Sequence, residues 1–322
     1  MRRIVAADIG GTHARFALAS IAAGTVVALD DPVTLRTGDH ASFRTAWEEF
    51  ASHCGADFPR ELAMAFAGPV GGDQLKLTNN PWVIRPGLMA SEFGVERHLI
   101  LNDFGAIAHA VAELDETAFA HLCGPDVPLP RDGVISIVGP GTGLGVAALL
   151  RRGDDYDVIE TEGGHIDFAP LDPLEDQILG FLRKSFRRVS VERIVAGSGI
   201  VNIHNALTAI ERRAVVPRDD KALWRAALDG SDSLAAAALD RYCLSLGAIS
   251  GDLALAQGAA AVVIAGGLGL RLRDHLPRSG FAGRFIAKGR FERRMESIPV
   301  KLVTHPQPGL FGAAAAYARA HR

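Results

Sequence analysis

Two stretches of this chain follow one pattern, and that recurrence limits the folds open to it. An apolar run from Ile4 leads into Asp8, Gly10-Gly11-Thr12 interrupts it, and Ala14 to Ala19 resumes it, which reads as strand, glycine turn, strand. Thr142 stands 130 residues beyond Thr12, and around it the pattern returns. Val134 to Val138 is β-branched, Gly139 to Gly145 is rich in glycine, and Val146 to Leu150 is apolar again. Gly11-Thr12 and Gly141-Thr142 occupy comparable places. Such a repeat suggests internal duplication, two related α/β domains facing one another. Two unrelated glycine hairpins remain the other reading of the spacing alone.

The segments between and after the hairpins alternate between strand and helix patterns. Phe43 to Cys54 reads as an amphipathic helix, and Glu61 to Phe66 and His98 to Leu101 read as strands. The last runs into Asn102-Asp103 and a helix from Phe104 to Glu113. Asp172-Pro173 with Glu175 is a helix start: an acceptor at the cap, proline first, an acid third. Ile178, Leu179, Leu182 and Phe186 then share a face. Ser231 to Gly258 reads mostly as one helix, with Gly247 and Gly251 a turn apart for close packing. Val262 to Ile264 is a short buried strand closed by Gly266-Gly267, and Pro308 opens a terminal helix, Gly309 to Ala320. The fold class is α/β.

Composition removes several classes of function. Of 322 residues 48% are hydrophobic and 22% charged, enough apolar material for a large core and too little charge for disorder. The net charge of −3 argues against nucleic acid as the main partner. Cys54, Cys123 and Cys243 are far apart and odd in number, so they imply reduced thiols rather than a disulfide framework or a metal pair. Two uncharged runs, Gly133 to Leu150 and Leu253 to Leu270, reach the length of a membrane span, but their internal glycines, Pro140 and Gln257 break them into buried elements joined by turns. Asp8 interrupts the N-terminal apolar stretch before a signal-peptide core could form. A cytoplasmic protein with no membrane partner is expected.

Neither glycine turn carries a Gly-Lys-Ser/Thr phosphate signature, and no Gly-x-Gly-x-x-Gly opens a helix after a first strand. Phosphates can still be held by a nest of turn N–H groups with Thr12 and Thr142 hydroxyls as added donors. Nests on two domains would suit a nucleotide bound between them.

Asp8-Ile9-Gly10-Gly11-Thr12, Leu101-Asn102-Asp103-Phe104, Gly141-Thr142-Gly143-Leu144-Gly145, Glu162-Gly163-Gly164-His165 and Ala265-Gly266-Gly267 occur in that order. Together they resemble the bacterial glucokinases of the actin-like sugar kinase superfamily, from Ala7 to Pro308-Gly309-Leu310. Glu162 to Pro170 is the most specific block. The resemblance implies two actin-like (ribonuclease H-like) α/β domains flanking a deep cleft: a smaller one of residues 1–112 with 304–322 and a larger one of residues 113–303.

It also implies roles. Ala7, Asp8, Ile9, Gly10, Gly11 and Thr12 would form the ATP phosphate turn, with Asp8 steering Mg²⁺. Gly141 and Thr142 would meet the phosphates from the other side, and Gly266-Gly267 would border the adenosine. Asn102 and Asp103 would contact the distal hydroxyls of glucose, while Glu162, His165 and Glu192 would contact hydroxyls nearer the anomeric carbon. Asn79 is a weaker candidate for the sugar. A homodimer is implied as well. His13 and Asp252 depart from the family pattern, where asparagine is common at both places, and Asp252 puts one polar packing contact in doubt.

The residue types suit that chemistry. Phosphoryl transfer to an alcohol needs an aligned hydroxyl, charge neutralisation on the phosphates and a carboxylate to take the proton, here Asp103. Sugar hydroxyls both donate and accept, and Asn, Glu and His supply that mix. Plainer readings stand beside these. Asp103 could merely cap its helix, Glu162 and His165 could be solvated loop residues, and Glu192 could sit in a first helical turn for its dipole alone. Arg183-Lys184, Arg187-Arg188 and Arg293-Arg294 read as solvated faces. At the level of function, the alternatives are a kinase for mannose or glucosamine, a non-catalytic sugar-binding regulator, and an ATP-hydrolysing assembly protein.

Overall fold

The computed structural model describes residues 1–55, 58–77 and 80–322. The chain divides into two compact units, Met1–Asp115 with His305–Arg322, and Glu116–Thr304. In the first unit β1 (Arg2–Ile9), β2 (His13–Ala22), β3 (Thr25–Leu29), β4 (Val33–Arg36) and β5 (Glu61–Phe66) are followed by a two-stranded ribbon, β6 (Leu75–Lys76) with β7 (Val83–Ile84), and then β8 (Arg97–Asn102). The second unit carries β9 (Phe119–Cys123), β10 (Asp132–Pro140), β11 (Leu144–Arg152), β12 (Asp155–Thr161), β13 (Ala261–Ile264) and β14 (Val300–Val303).

Both main sheets follow the same plan. The first runs β3-β2-β1-β5-β8, with β4 also on β2, and the second runs β12-β11-β10-β13-β14-β9. In each, a hairpin and a third antiparallel strand lie on one side and two parallel strands on the other, and in the second sheet β9 adds an antiparallel edge beyond those two. The recurrence visible in the sequence is therefore a repeat of topology, and the mixed α/β class expected from the alternating elements holds.

β1, between antiparallel β2 and parallel β5, is a central strand and is buried on both faces. Val5, Ala7 and Ile9 point into a cluster with Phe16, Phe43, Trp47 and Phe50, where the Phe16 and Phe50 rings stack 5.1 Å apart. Ile4 and Ala6 point the other way, onto Leu310, Ala313, Ala314 and Tyr317 of the terminal helix Pro308–Ala320. That helix also packs on Asp103–Glu113, and only glycine fits at Gly312, since a Cβ there would run into the Ala106 carbonyl.

The second unit covers its sheet with helices, chiefly Pro173–Leu182, Gly199–Ile210, Asp220–Asp229 and Ser233–Gln257. Asp172 caps the first of these, accepting from the Leu174 and Glu175 N–H groups, while Pro173 fills its first position. Phe186 lies beyond the end of that helix, yet still packs against the core. The long helix starts at Ser233 rather than Ser231 because the Asp232 carboxylate takes the Leu234 and Ala235 N–H groups. Gly247 and Gly251 let the Phe281 and Phe285 carbonyls of Phe281–Ile286 come against it. Asp252 does make a polar contact, an ion pair with Lys288 at 2.8 Å.

Candidate active site

In the first unit β1, β5 and β8 run parallel and end in register, with Ile9 opposite Phe66 and Phe66 opposite Asn102. The carboxyl edge of parallel strands is where an open α/β sheet holds its ligand. With roughly 4.8 Å between neighbouring strands, the ends of β1 and β8 are about 10 Å apart.

The side chains of Ala7 and Ile9 are buried in the core, so only their backbone can meet a ligand. Gly10 closes the turn by donating to the His13 carbonyl at 3.0 Å. Thr37, buried and beyond the end of β4, fastens the turn from behind: its hydroxyl donates to the Gly11 carbonyl at 2.7 Å and its N–H to the Thr12 carbonyl at 3.1 Å. Thr12 itself is exposed. Thr37 was not legible as a site residue, because its side-chain partner Gly11 is 26 positions away in sequence.

Asp8 faces Arg15 across the hairpin, with Oδ2 3.1 Å from Nη1. Burial pushes the Asp8 carboxyl above the ordinary carboxylate range, and Arg15 works against that shift. Gly309 lies beside it, where a Cβ would stand 3.1 Å from the Asp8 carboxylate. Pro308-Gly309 was visible only as a helix start.

Asn102, not Asp103, caps the helix that follows β8. Its Oδ1 accepts from the N–H groups of Phe104 at 2.9 Å and Gly105 at 3.3 Å, and its Nδ2 donates to the Gly68 carbonyl at 3.5 Å. Asp103 is the first helical residue, with Oδ1 2.9 Å from the Phe104 nitrogen. Asn79 lies outside the described residues.

In the second unit the β10–β11 turn is closed by the Gly141 N–H on the Gly143 carbonyl at 2.8 Å. Gly197 donates to the Gly141 carbonyl at 2.7 Å. The segment carrying Gly197 is held by two core aromatics, Trp224 Nε1 donating to the Gly197 carbonyl at 2.9 Å and the Tyr242 hydroxyl donating to the Val195 carbonyl at 3.0 Å. Thr142 is exposed at the turn's tip. Gly266, in left-handed backbone at φ +83°, opens Gly266–Arg271 beside the same turn, and a Cβ there would lie 2.7 Å from the Pro140 carbonyl oxygen.

Glu162, His165 and Glu192 come together around β11. Gly163 and Gly164 seat their loop on that strand: a Cβ at 163 would lie 2.9 Å from Val146, and one at 164 would overlap the Leu144 carbonyl. The loop is thus packed backbone rather than a solvated excursion, while the side chains of Glu162 and His165 are exposed, with Oε2 and Nε2 3.9 Å apart. Backbone hydrogen bonds from Phe168 to Val189 and from Val191 to Ile166 bring Glu192 alongside. The Leu144 N–H donates to Glu192 Oε2 at 3.0 Å, and Gly143 leaves room for that carboxylate, which would lie 2.6 Å from a Cβ at 143. Two acids and an imidazole on one edge suit a polyhydroxylated ligand.

Comparison with known proteins identifies the family. A glucokinase family model matches residues 5–320. A glucokinase of Zymomonas mobilis is 62% identical over 315 residues, 98% of this chain and 97% of its own. Among solved structures, a glucokinase from an Antarctic psychrotroph superposes with a TM-score of 0.85 at 32% identity, covering 98% of both chains. A glucokinase from Balamuthia mandrillaris in complex with glucose shares the fold, with a TM-score of 0.78 at 20% identity over 99% of this chain and 94% of its own. The chain belongs to the glucokinase family, kinases of the actin-like ATPase fold that transfer a phosphoryl group from ATP to glucose.

Proposed function

We propose that Asp103 is the general base that takes the proton of the glucose 6-hydroxyl as its oxygen attacks the γ-phosphorus of ATP. The bond from that phosphorus to the β,γ-bridging oxygen breaks, ADP leaves with the bonding pair, and glucose 6-phosphate forms. The observation that carries this reading is the place of Asp103 in the sheet. It directly follows Asn102, the last residue of β8, so its carboxylate stands at the carboxyl edge of the parallel strands β1, β5 and β8. A positioned carboxylate of this kind contributes about 10²–10⁴-fold, with orientation and phosphate electrostatics supplying the rest.

The remaining roles follow the residue chemistry. The backbone around Ala7, Ile9, Gly10 and Gly11 and the Thr12 hydroxyl would hold ATP phosphates, as would Gly141 and Thr142, with Gly266 and Gly267 beside the adenosine. Asn102, Asp103, Glu162, His165 and Glu192 would bind the sugar, with Asn79 a further candidate. The donor set at Asp8 fits Mg²⁺, which takes one or two carboxylates together with phosphate oxygens. Burial disfavours the charge on Asp8, and a cation beside it would offset that cost. Bound there, Mg²⁺ would supply neutralisation of the phosphate charge. A homodimer in the cytoplasm completes the reading, supported by family resemblance and by three unpaired thiols.

The test is glucose-dependent ADP release from MgATP by the wild type, Asp103→Asn and Asp103→Ala, with mannose and glucosamine in parallel. Turnover on glucose should fall by about 10²-fold or more in both variants while glucose binding persists. Comparable turnover in the wild type and Asp103→Asn would remove Asp103 from the chemistry.

A further inference from the structure

The loop assigned above to the sugar ends in an ion cluster that the transfer chemistry does not use. Asp172, its Oδ1 engaged as a helix cap, accepts through Oδ2 from Arg241 Nη1 at 2.6 Å and from Arg284 Nη2 at 2.5 Å. Glu175, whose side chain is 3% exposed, accepts the Leu171 N–H through Oε2 at 2.7 Å. Its Oε1 lies 3.2 Å from Arg284 Nη2 and 4.0 Å from Arg241 Nη1. Arg241 belongs to Ser233–Gln257 and Arg284 to Phe281–Ile286, the two helices brought together at Gly247 and Gly251. Leu171 and Asp172 are therefore gripped from three helices at once.

Stability alone is a poor reason for such a cluster, because buried ion pairs are often replaceable by apolar residues of similar volume at no loss. Holding one conformation is the better-supported use, and this loop needs it. Beneath its middle lies a void of about 40 Å³ bordered by Ile166, Phe168, Val191, Ile194, Ser245 and Ala248. Phe168 packs into the core beside this gap, but a gap leaves part of its lining without partner atoms, so core packing alone fixes this stretch less firmly than a filled interior would. Its position is set as well by Gly164 on Leu144, by the backbone bonds to 189–191, and by the ion cluster at its far end.

We infer that Arg284 and Arg241 are positioning residues for hexose binding, holding the 162–171 loop and, through it, Glu192 in the arrangement that receives the sugar. This rests on the assignment of Glu162, His165 and Glu192 to the sugar. The test is steady-state kinetics on Arg284→Met, which keeps the length and removes the charge, and on Arg284→Lys, with thermal unfolding of each. Arg284→Met should raise the glucose KM about tenfold and leave the ATP KM within about twofold, and Arg284→Lys should recover most of the loss. The double variant Glu175→Gln/Arg284→Met removes the stranded acid, so it should regain stability while keeping the high glucose KM. A folded Arg284→Met with the wild-type glucose KM overturns the inference. If Arg284→Met does not fold, Glu175→Gln carries the test, with a raised glucose KM expected and an unchanged one overturning it. Absence of glucose-dependent ADP release in the wild type would remove the underlying assignment. Normal wild-type turnover with unaltered variants removes the positioning role alone.

Discussion

The two glycine turns are alike in sequence and in topology, yet they are supported in opposite ways. The first is fastened from behind by Thr37, and its glycine has space: a Cβ on Gly10 would find its nearest neighbour, the His13 carbonyl oxygen, at 3.6 Å. The second has room at Gly141 itself, where the nearest atom to a Cβ lies at 3.9 Å, but the segments around it are packed close. Gly143 faces Glu192, Gly164 sits on the Leu144 carbonyl, Gly197 is bonded to Gly141, and Gly266 presses on Pro140. One hairpin motif thus serves in the first unit as an open rim and in the second as the centre of a tightly packed knot. Glycine around the second turn answers the protein's own packing, whereas packing makes no such demand at Gly10.

The largest effect on folding should therefore come from the second turn. Gly164→Ala puts a methyl into the Leu144 carbonyl, backbone against backbone, with no flexible side chain to give way. We expect a loss of about 3 kcal/mol or more, read as the shift in a denaturant midpoint at constant slope. A loss under about 1 kcal/mol would mean that the loop relaxes freely, and the contrast between the turns would fail.

What was legible in the sequence was local. The hairpins, the Asp172-Pro173 helix start and the Gly247/Gly251 approach each rest on residues within a few positions of one another, and each stands in the structure. The supports that distinguish the two turns are long-range. Thr37 on Gly11, Gly309 on Asp8 and Arg284 on Asp172 join residues that carry no mutual signature along the chain. Asn102-Asp103 shows the limit at short range. Both residue types cap helices, and only the backbone path at the end of β8 decides that Asn102 does so.

Acid sharpens the comparison at the level of whole units. Burial holds His98, His109 and His305 in the first unit, and His204 in the second, below the ordinary imidazole range, and His109 falls to about 4. For His109 desolvation leads, with the charge of Arg319 adding to it. A histidine whose folded pKa is depressed is neutral in the native state while the unfolded chain takes up a proton. Its contribution is full above pH 6.5 and is lost as pH falls from 6.5 through about 4. After allowance for its partial exposure, His109 should account for about 2 kcal/mol of that loss, and His109→Gln should flatten the profile in this window. Hydrogen exchange between pH 7 and 4 should show the helix Asp103–Glu113 opening before the strands β10 and β11. The reverse order would place the acid-sensitive element in the other unit.

The smallest effect on folding is expected at Gly10, and it bears most directly on what the first turn is for. Gly10 does not adopt a left-handed backbone, and an alanine methyl there would rest at ordinary van der Waals distance from the His13 carbonyl. Gly10→Ala should change stability by no more than about 0.5 kcal/mol, the range of a surface substitution. If the space above Gly10 is kept for phosphate, the same methyl occupies the ligand's position. The ATP KM should then rise by about tenfold or more, with the glucose KM little changed. Gly164→Ala is the converse case, in which any kinetic change accompanies a loss of folded protein. An ATP KM unmoved in Gly10→Ala would leave the open rim without a ligand. The difference between the turns would then be one of packing alone, with no division of labour between binding and support.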